Sequence, residues 1–208
     1  MGSYDSIIFD LDGTLWNAVK SVTDTWNRAV AEEPDVNKSF SENDIKNIMG
    51  LNTKEIGDKL FPGLTRHRRD ALMALCGEAE RKDLPKIGGT LYPGVEETLR
   101  RLKERLPLFI VSNCDSGYIE AFLQYHHLED CFRATLCYGD TSKEKAENIR
   151  SIKTAFALKN PVYIGDTEKD RLAAANAGVS FLHAAYGFGR VETETASIHK
   201  ISALLHLL

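Results

Sequence analysis

Short runs of apolar residues, rich in β-branched and aromatic side chains, recur along the chain with no polar positions alternating between them. Such runs are typical of strands in a parallel sheet, where helices cover both faces and every side chain is buried. We predict strands of this kind at residues 7–9, 108–111, 134–138, 162–164 and 179–182.

Helical patterns separate the later strands, with apolar residues three and four positions apart. In one of them Ile149, Ile152 and Phe156 fall at helical spacing. We predict helices at residues 95–105, 117–125, 147–156 and 171–177, the last of which ends at Gly178. Because strands and helices alternate, the predicted fold class is α/β, with a doubly wound parallel sheet.

The segment from residue 16 to about residue 85 breaks this alternation, since it shows no convincing strand. Amphipathic helical patterns fill it instead, at residues 21–33, 42–49, 54–60 and 65–82. We therefore predict an inserted all-helical domain at residues 16–86, within an α/β core formed by residues 1–15 and 87–208. Gly88 and Gly89 would form the hinge through which the chain returns to the core.

The composition argues against several classes of protein. A formal net charge of −4 argues against a nucleic-acid partner. No apolar run approaches the length of a membrane span, so no membrane association is expected. The four cysteines form no CxxC pair, so a zinc site is not expected and they are interpreted as reduced thiols of a cytoplasmic protein. We expect a monomer, with a dimer as the alternative.

Carboxylates, hydroxyl groups and lysines follow four of the predicted strands. In a doubly wound sheet these strand ends lie at one edge, where ligands bind. Crowded carboxylates repel each other unless a cation offsets their charge, and a cluster of oxygen donors suits Mg²⁺. Hydroxyl groups and lysines commonly hold phosphate, so the pattern predicts a phosphoryl group that a carboxylate attacks. The residues are Asp10, Asp12, Gly13, Thr14, Ser112, Asn113, Lys143, Lys145, Asp166, Thr167 and Asp170.

The order of these residues resembles the motifs of the haloacid dehalogenase-like hydrolase superfamily, and within it the phosphoglycolate-phosphatase-like group. The family motif D-x-D-G-T matches residues 10–14, and the motif G-D-[ST]-x-x-D matches residues 165–170. Between them lie Val111-Ser112-Asn113 and a lysine around residues 143–145. The resemblance runs along the whole chain. It implies a Rossmann-like core, with the helical insertion as a cap that closes over the site and reads the substrate.

The resemblance also implies a role for each motif residue. Asp10 would be the nucleophile and a metal ligand. Asp12 would be the general acid and then the base that activates water, and its backbone carbonyl would be a further metal ligand. Asp166 would bind Mg²⁺, and Asp170 would support the metal shell or orient the lysine. The residues that would hold the phosphate are Gly13, Thr14, Ser112, Asn113 and the lysine.

The identity of this lysine stays open between Lys143 and Lys145. The apolar register of the following helix favours Lys143. Family members with a lysine directly before a segment like residues 146–149 favour Lys145, and of the two we prefer Lys145.

The predicted function is the Mg²⁺-dependent hydrolysis of a small phosphorylated metabolite, a phosphomonoester, through an aspartyl-phosphate on Asp10. A phosphotransferase such as a sugar-phosphate mutase is one alternative, although residues 49–54 contain no arginine and Lys54 lies one place later than the basic residue of such an enzyme. A catalytically silent binding protein on this scaffold is another, although no motif residue is lost. Dehalogenation is disfavoured because the second acid, Asp12, is present.

Overall fold

A computed structural model of the chain describes residues 4–36 and 39–207. A parallel sheet with helices on both faces forms the core, and a group of helices is inserted after the first strand. The strands are β1 (Ser6–Phe9), β2 (Trp16–Asn17), β3 (Thr90–Leu91), β4 (Leu108–Ser112), β5 (Ala134–Cys137), β6 (Pro161–Gly165), β7 (Ser180–Ala184) and β8 (Ser197–Ile198). The α-helices are α1 (Val19–Val30), α2 (Glu42–Lys46), α3 (Thr53–Leu60), α4 (Arg66–Ile87), α5 (Val95–Leu102), α6 (Tyr118–His126), α7 (Tyr138–Thr141), α8 (Lys145–Ala155), α9 (Glu168–Ala177) and α10 (Leu204–Leu207).

The central strand of the six-stranded sheet is β1. The strand order is β5-β4-β1-β6-β7-β8, and every neighbouring pair is parallel. Ile8 of β1 pairs with Phe109 of β4 on one side and with Tyr163 of β6 on the other. The chain builds the β4 half first and then crosses to β6, so the strand order reverses at β1. The predicted doubly wound α/β fold is confirmed.

Two hydrophobic clusters cover the two faces of this sheet. Ile7 and Phe9 belong to one cluster and Ile8 belongs to the other, because successive side chains of a strand point to opposite faces. Helices α8 and α9 close the cluster around Ile8. The cluster around Ile7 continues through α5 and α6 into the inserted helices. The insertion and the core therefore share one continuous apolar interior.

The inserted helices are α1 to α4, and we call them the cap. Helix α4 packs along α1 and also contacts α6 of the core. The sequence pattern predicted an end at residue 82. The helix instead continues to Ile87 with Pro85 in its last turn, and it ends at Gly88, whose φ is 57°. The Gly88 N–H donates a hydrogen bond to the Leu84 carbonyl.

A two-stranded antiparallel ribbon joins the cap to the core. Trp16 pairs with Leu91 and Asn17 with Thr90. The expectation of no strand after residue 16 was therefore wrong, because a strand of two residues is too short to show a periodic pattern. A Cβ added to Gly89 would lie 2.9 Å from the Ala18 Cα, so the close approach at this ribbon requires glycine. The sequence pattern also did not indicate β8, which is equally short.

Two further observations concern the cysteines and the length of the helices. All four cysteines are free, as the sequence predicted. Within the described ranges, no helix combines the length and the apolar character that crossing a membrane requires.

The shared apolar interior predicts how the chain unfolds. We expect Leu72→Ala in α4 to lower the free energy of unfolding by about 2–5 kcal/mol, because it leaves a cavity in the cluster that joins cap and core. Leu172→Ala removes the same atoms from a side chain that is 46% exposed, and should change the free energy of unfolding by about 0.5 kcal/mol or less. Urea unfolding followed by circular dichroism and by tryptophan fluorescence measures both changes. Separate transitions for the two probes in the unmodified chain would contradict a shared interior.

Candidate active site

The loop after β1 places two carboxylates at the carboxyl edge of the sheet. The Asp10 N–H donates to the Ile164 carbonyl at 2.8 Å, which extends the pairing of β1 with β6 by one residue. The chain then turns sharply, because the N–H groups of Thr14 and Leu15 both donate to the Leu11 carbonyl. Asp10 and Asp12 flank Leu11, and their side chains are both buried at this edge.

Close backbone packing surrounds Asp166, which follows β6. Gly13 has a φ of 81°, and a Cβ added there would lie 2.1 Å from the Asp166 Oδ2 atom. The Gly189 N–H donates to the same oxygen at 2.7 Å. Glycines in the loops after β1 and β7 thus let both backbones approach one carboxylate. This is the reason for the glycine of the D-x-D-G-T motif and for a glycine after β7.

Of the two candidate lysines, the structure places Lys145 at this edge. Its Nζ atom lies 2.8 Å from the Asp10 Oδ1 atom and 2.6 Å from the Asp170 Oδ1 atom. The Lys145 side chain is 4% exposed, whereas Lys143 is exposed. The register argument that favoured Lys143 does not hold. Helix α8 begins at Lys145, so Lys145 shares one helix face with Ile149 and Ile152.

Asp170 connects the lysine to the start of α9. Its Oδ2 atom accepts hydrogen bonds from the N–H and the hydroxyl group of Thr167, and the Thr167 hydroxyl accepts from the Asp170 N–H. This reciprocal capping arrangement fixes the carboxylate, and its Oδ1 atom faces Lys145. The structure thereby places Asp170 where it orients the lysine.

Three of these carboxylates form a group that fits a metal ion. Oxygen atoms of Asp10, Asp166 and Asp170 lie within 4.8 Å of one another. The Asp166 Oδ1 atom is buried and has no hydrogen-bond partner. Burial and the charges of Asp170 and Asp10 raise the pKa of Asp166 well above its usual range. A hard cation would relieve this repulsion, so the donor set fits Mg²⁺. The side chain of Asp12 lies outside this group. The metal contact expected of Asp12 was its backbone carbonyl, which does not require the side chain to be in the group.

Tyr118, at the start of α6, holds Asp12. Its hydroxyl group donates to the Asp12 Oδ1 atom at 3.0 Å, in a buried contact. Burial and the charge of Asp10 raise the pKa of Asp12 to about 7, and burial and the charge of Asp170 raise the pKa of Asp10 to about 6. A carboxyl group with a pKa near neutrality can both give and take a proton. The sequence did not indicate Tyr118, because the contact joins residues 106 positions apart.

Only some of the predicted phosphate-binding residues line a cavity at this edge of the sheet. Ser112 ends β4 and Asn113 follows it, and both line this cavity together with Asp10 and Asp12. The Asn113 side-chain amide donates to the Gly50 carbonyl of the cap at 2.9 Å, and its Oδ1 atom is buried without a partner. Thr14 is fully buried, and its side chain does not line the cavity.

The cavity lies between the core and the cap, and its volume is about 60 Å³. Its opposite wall is formed by residues of the cap. Two charged pairs connect described residues of the cap and the core: Lys169 with Glu55 at 2.7 Å, and Arg81 with Asp115 at 3.4 Å. The residues of this wall are Val22, Trp26, Ile48, Met49, Gly50, Leu51, Thr53, Ile56, Met73, Gly77 and Glu80.

Comparison with known proteins places this site in a family. The family described as haloacid dehalogenase-like hydrolase matches residues 7–184. A Vibrio vulnificus protein named phosphoglycolate phosphatase is 32% identical, over 92% of this chain and 88% of its own length. A Rhodobacter capsulatus protein of the same name is 29% identical, over 96% of this chain and 94% of its own length.

Solved structures share the fold over the full length of the chain. A structure from Haemophilus somnus, described as a predicted phosphoglycolate phosphatase, has a TM-score of 0.84 at 24% identity and covers 100% of this chain and 99% of its own. A haloacid dehalogenase-like family hydrolase from Streptococcus pneumoniae has a TM-score of 0.83 at 21% identity and covers 100% and 99%. At these identities the structures establish the fold alone.

The family match and the fold agree with the prediction from the motifs. The matched range of residues 7–184 contains both carboxylate motifs, Lys145 and the cap. The first of the curated relatives named above spans most of this chain at 32% identity. The chain therefore belongs to the haloacid dehalogenase-like hydrolase family.

Proposed function

We propose that this phosphatase of the haloacid dehalogenase-like family hydrolyses a small phosphomonoester through an aspartyl-phosphate on Asp10. The observation that carries the proposal is the contact between Asp10 and Lys145, next to Asp12 with its raised pKa. An ammonium group against a carboxylate favours its ionised form, and the ionised form is the nucleophile. Asp12 supplies a second acid in the same cavity.

In the first step a carboxylate oxygen of Asp10 attacks the phosphorus atom. The bond between phosphorus and the ester oxygen breaks, and Asp12 gives its proton to the departing oxygen. The products are the free alcohol and an acyl phosphate on Asp10. Lys145 offsets the negative charge of the nucleophile and of the phosphoryl group as they approach each other.

In the second step Asp12, now ionised, takes a proton from a water molecule. The resulting hydroxide attacks the phosphorus atom and breaks its bond to Asp10, which releases inorganic phosphate and restores the carboxylate. Tyr118 holds the Asp12 carboxyl group through both steps. Ser112 and the backbone around Asn113 line the cavity where the phosphoryl oxygens would lie.

The metal ion that we propose is Mg²⁺. Asp10, Asp166 and the backbone carbonyl of Asp12 would hold it, with Asp170 beside them. When bound, Mg²⁺ would neutralise charge on the phosphoryl oxygens and on the crowded carboxylates. The unpartnered Asp166 Oδ1 atom supports this assignment.

The substrate we propose is a small phosphorylated metabolite. The curated relatives bear the name phosphoglycolate phosphatase, and phosphoglycolate is a small ester. A cavity of about 60 Å³ supports the same size class, since it holds a handful of water molecules or a leaving group of a few heavy atoms. A cytoplasmic location and a monomeric state remain predictions from the sequence.

The aspartyl-phosphate mechanism predicts the effect of Asp10→Asn. The amide is a poor nucleophile, so we expect phosphate release with Mg²⁺ to fall at least about 1,000-fold. Asp130→Asn removes a carboxylate from the exposed surface of the core and serves as the control. Acid quenching of the unmodified enzyme during turnover, followed by peptide mass spectrometry, should find one phosphoryl group on Asp10. Substantial activity in Asp10→Asn would contradict the mechanism.

The placement of the two lysines predicts a contrast between Lys145→Met and Lys143→Met. Methionine keeps the apolar stem and removes the charge. We expect Lys145→Met to lower kcat/KM at least about 100-fold, because no other side chain donates to Asp10 among the hydrogen bonds of the described residues. Lys143 is exposed, and Lys143→Met should stay within about threefold of the unmodified enzyme. A larger loss in Lys143→Met would reverse the assignment.

The contact of Tyr118 with Asp12 predicts a shift in the pH profile. The hydrogen bond stabilises the ionised carboxylate and lowers its pKa, so Tyr118→Phe should raise that pKa. Protonated Asp12 is the acid of the first step. The alkaline limb of kcat/KM should therefore move to higher pH, by up to about one unit. Tyr125→Phe, at a half-exposed position of the same helix, is the control. An unchanged or acid-shifted limb in Tyr118→Phe would contradict this role.

A further inference from the structure

The cap wall of the cavity contains one ionisable side chain among its described residues, and this is Glu80 in the middle of α4. Glu80 is 7% exposed. Its Oε1 atom accepts a hydrogen bond from the Trp26 indole N–H at 2.8 Å, which fixes the direction of the carboxyl group. Burial and the nearby charges of Asp12 and Asp115 raise the pKa of Glu80 to about 8.

No lysine, arginine or histidine among the described residues forms an ion pair with Glu80, and the nearby charge of Arg81 offsets only part of the increase in its pKa. None of the described residues that line the cavity is lysine, arginine or histidine, whereas Asp10, Asp12, Glu80 and Asp115 are acidic. Arg81 follows Glu80 in the chain, but its guanidinium group contacts Asp115 and the Ser116 carbonyl instead. The Lys145 ammonium group is already shared between two aspartates beneath the cavity.

The rest of the cap wall is largely apolar. Neither the helix nor the apolar interior needs a carboxyl group at position 80, and burying one without a cation costs free energy. Buried acids of this kind concentrate at functional sites. The apolar side chains of this wall include Val22, Trp26, Ile48, Met49, Leu51, Ile56 and Met73.

The chemistry of this wall would favour the binding of some classes of leaving group over others. A carboxylate on the substrate would lie near the charges of Asp12 and Asp115, and none of the described residues that line the cavity would supply a cation to pair with it, which is unfavourable. An ammonium group would favour the ionised form of Glu80 and pair with it, and a hydroxyl group would donate to it. Either group would supply the partner that the protein itself does not provide.

We propose that Glu80, oriented by Trp26, is the specificity-determining residue of the cap, and that the substrate is a small phosphate monoester whose leaving group carries an amino or hydroxyl group. This inference rests on the proposed phosphatase function. The substrate proposed here differs from phosphoglycolate, the carboxylate that the names of the curated relatives specify.

Four esters of similar size test the inference: phosphoethanolamine, hydroxyethyl phosphate, propyl phosphate and phosphoglycolate. Each carries a short leaving group, and they differ in the group at its end. We expect kcat/KM with Mg²⁺ to be at least about tenfold higher for the amino or the hydroxyl ester than for phosphoglycolate, with propyl phosphate between them. The order of the first two shows whether the preferred donor is ammonium or hydroxyl.

Glu80→Gln tests whether Glu80 causes this preference. Glutamine keeps the size of the side chain and can still accept from Trp26, so the cap should fold. We expect the ratio of kcat/KM for phosphoethanolamine to that for phosphoglycolate to fall about tenfold, while propyl phosphate stays within about threefold. Trp26→Phe should lower the same ratio less. Glu78→Gln removes a carboxyl group from the exposed face of the same helix and should leave the ratio unchanged.

Each ratio is measured on one preparation, so a loss of folded protein does not alter it. Phosphoglycolate as the best of the four esters would overturn the inference and leave the phosphatase function intact. An unchanged ratio in Glu80→Gln would also overturn it. No phosphate release from any ester would overturn the proposed function itself, and the inference with it.

Discussion

The contact of one buried lysine with two buried aspartates is the interaction on which the site depends. Lys145 lies between Asp10 and Asp170, and all three are withdrawn from water. Each charge would be costly alone in this position, and together they still leave an excess negative charge that Asp166 increases. Asp10 follows β1, Lys145 begins α8 and Asp170 lies in α9. Only the parallel order of the sheet brings these three distant segments together.

The core and the cap divide the work of the site. The core supplies the crowded carboxylates and the lysine, whose positions follow from strand ends and helix starts. The cap supplies a largely apolar wall, in which Glu80 is the one carboxyl group among the described residues. The charged pairs between them are partly exposed, and such pairs contribute little free energy. Cap and core are joined chiefly by apolar contacts, which do not depend on the identity of the substrate.

The sequence predicted most of the core because its signals are local. A run such as residues 108–111 shows a buried strand, and the residue after it reaches the sheet edge. Asp10 and Asp166 follow from this logic. Tyr118 and Glu80 do not, because their partners lie 106 and 54 positions away and no local pattern marks the contact. The lysine was predicted only in part. The sequence indicated Lys143 or Lys145, and the residue at which α8 begins determines which of the two enters the site.

The ribbon of β2 and β3 has a consequence for how such a chain can evolve. Trp16 lies opposite Leu91, so the cap leaves and rejoins the core through two strands about 5 Å apart. An insertion with such closely spaced ends can be exchanged as a unit without disturbing the order of the main sheet. The nucleophile comes before the exchange point, and the remaining motifs come after it. A lineage could acquire a new substrate by replacing one contiguous stretch of gene, provided that the new segment carries an apolar face to cover α6.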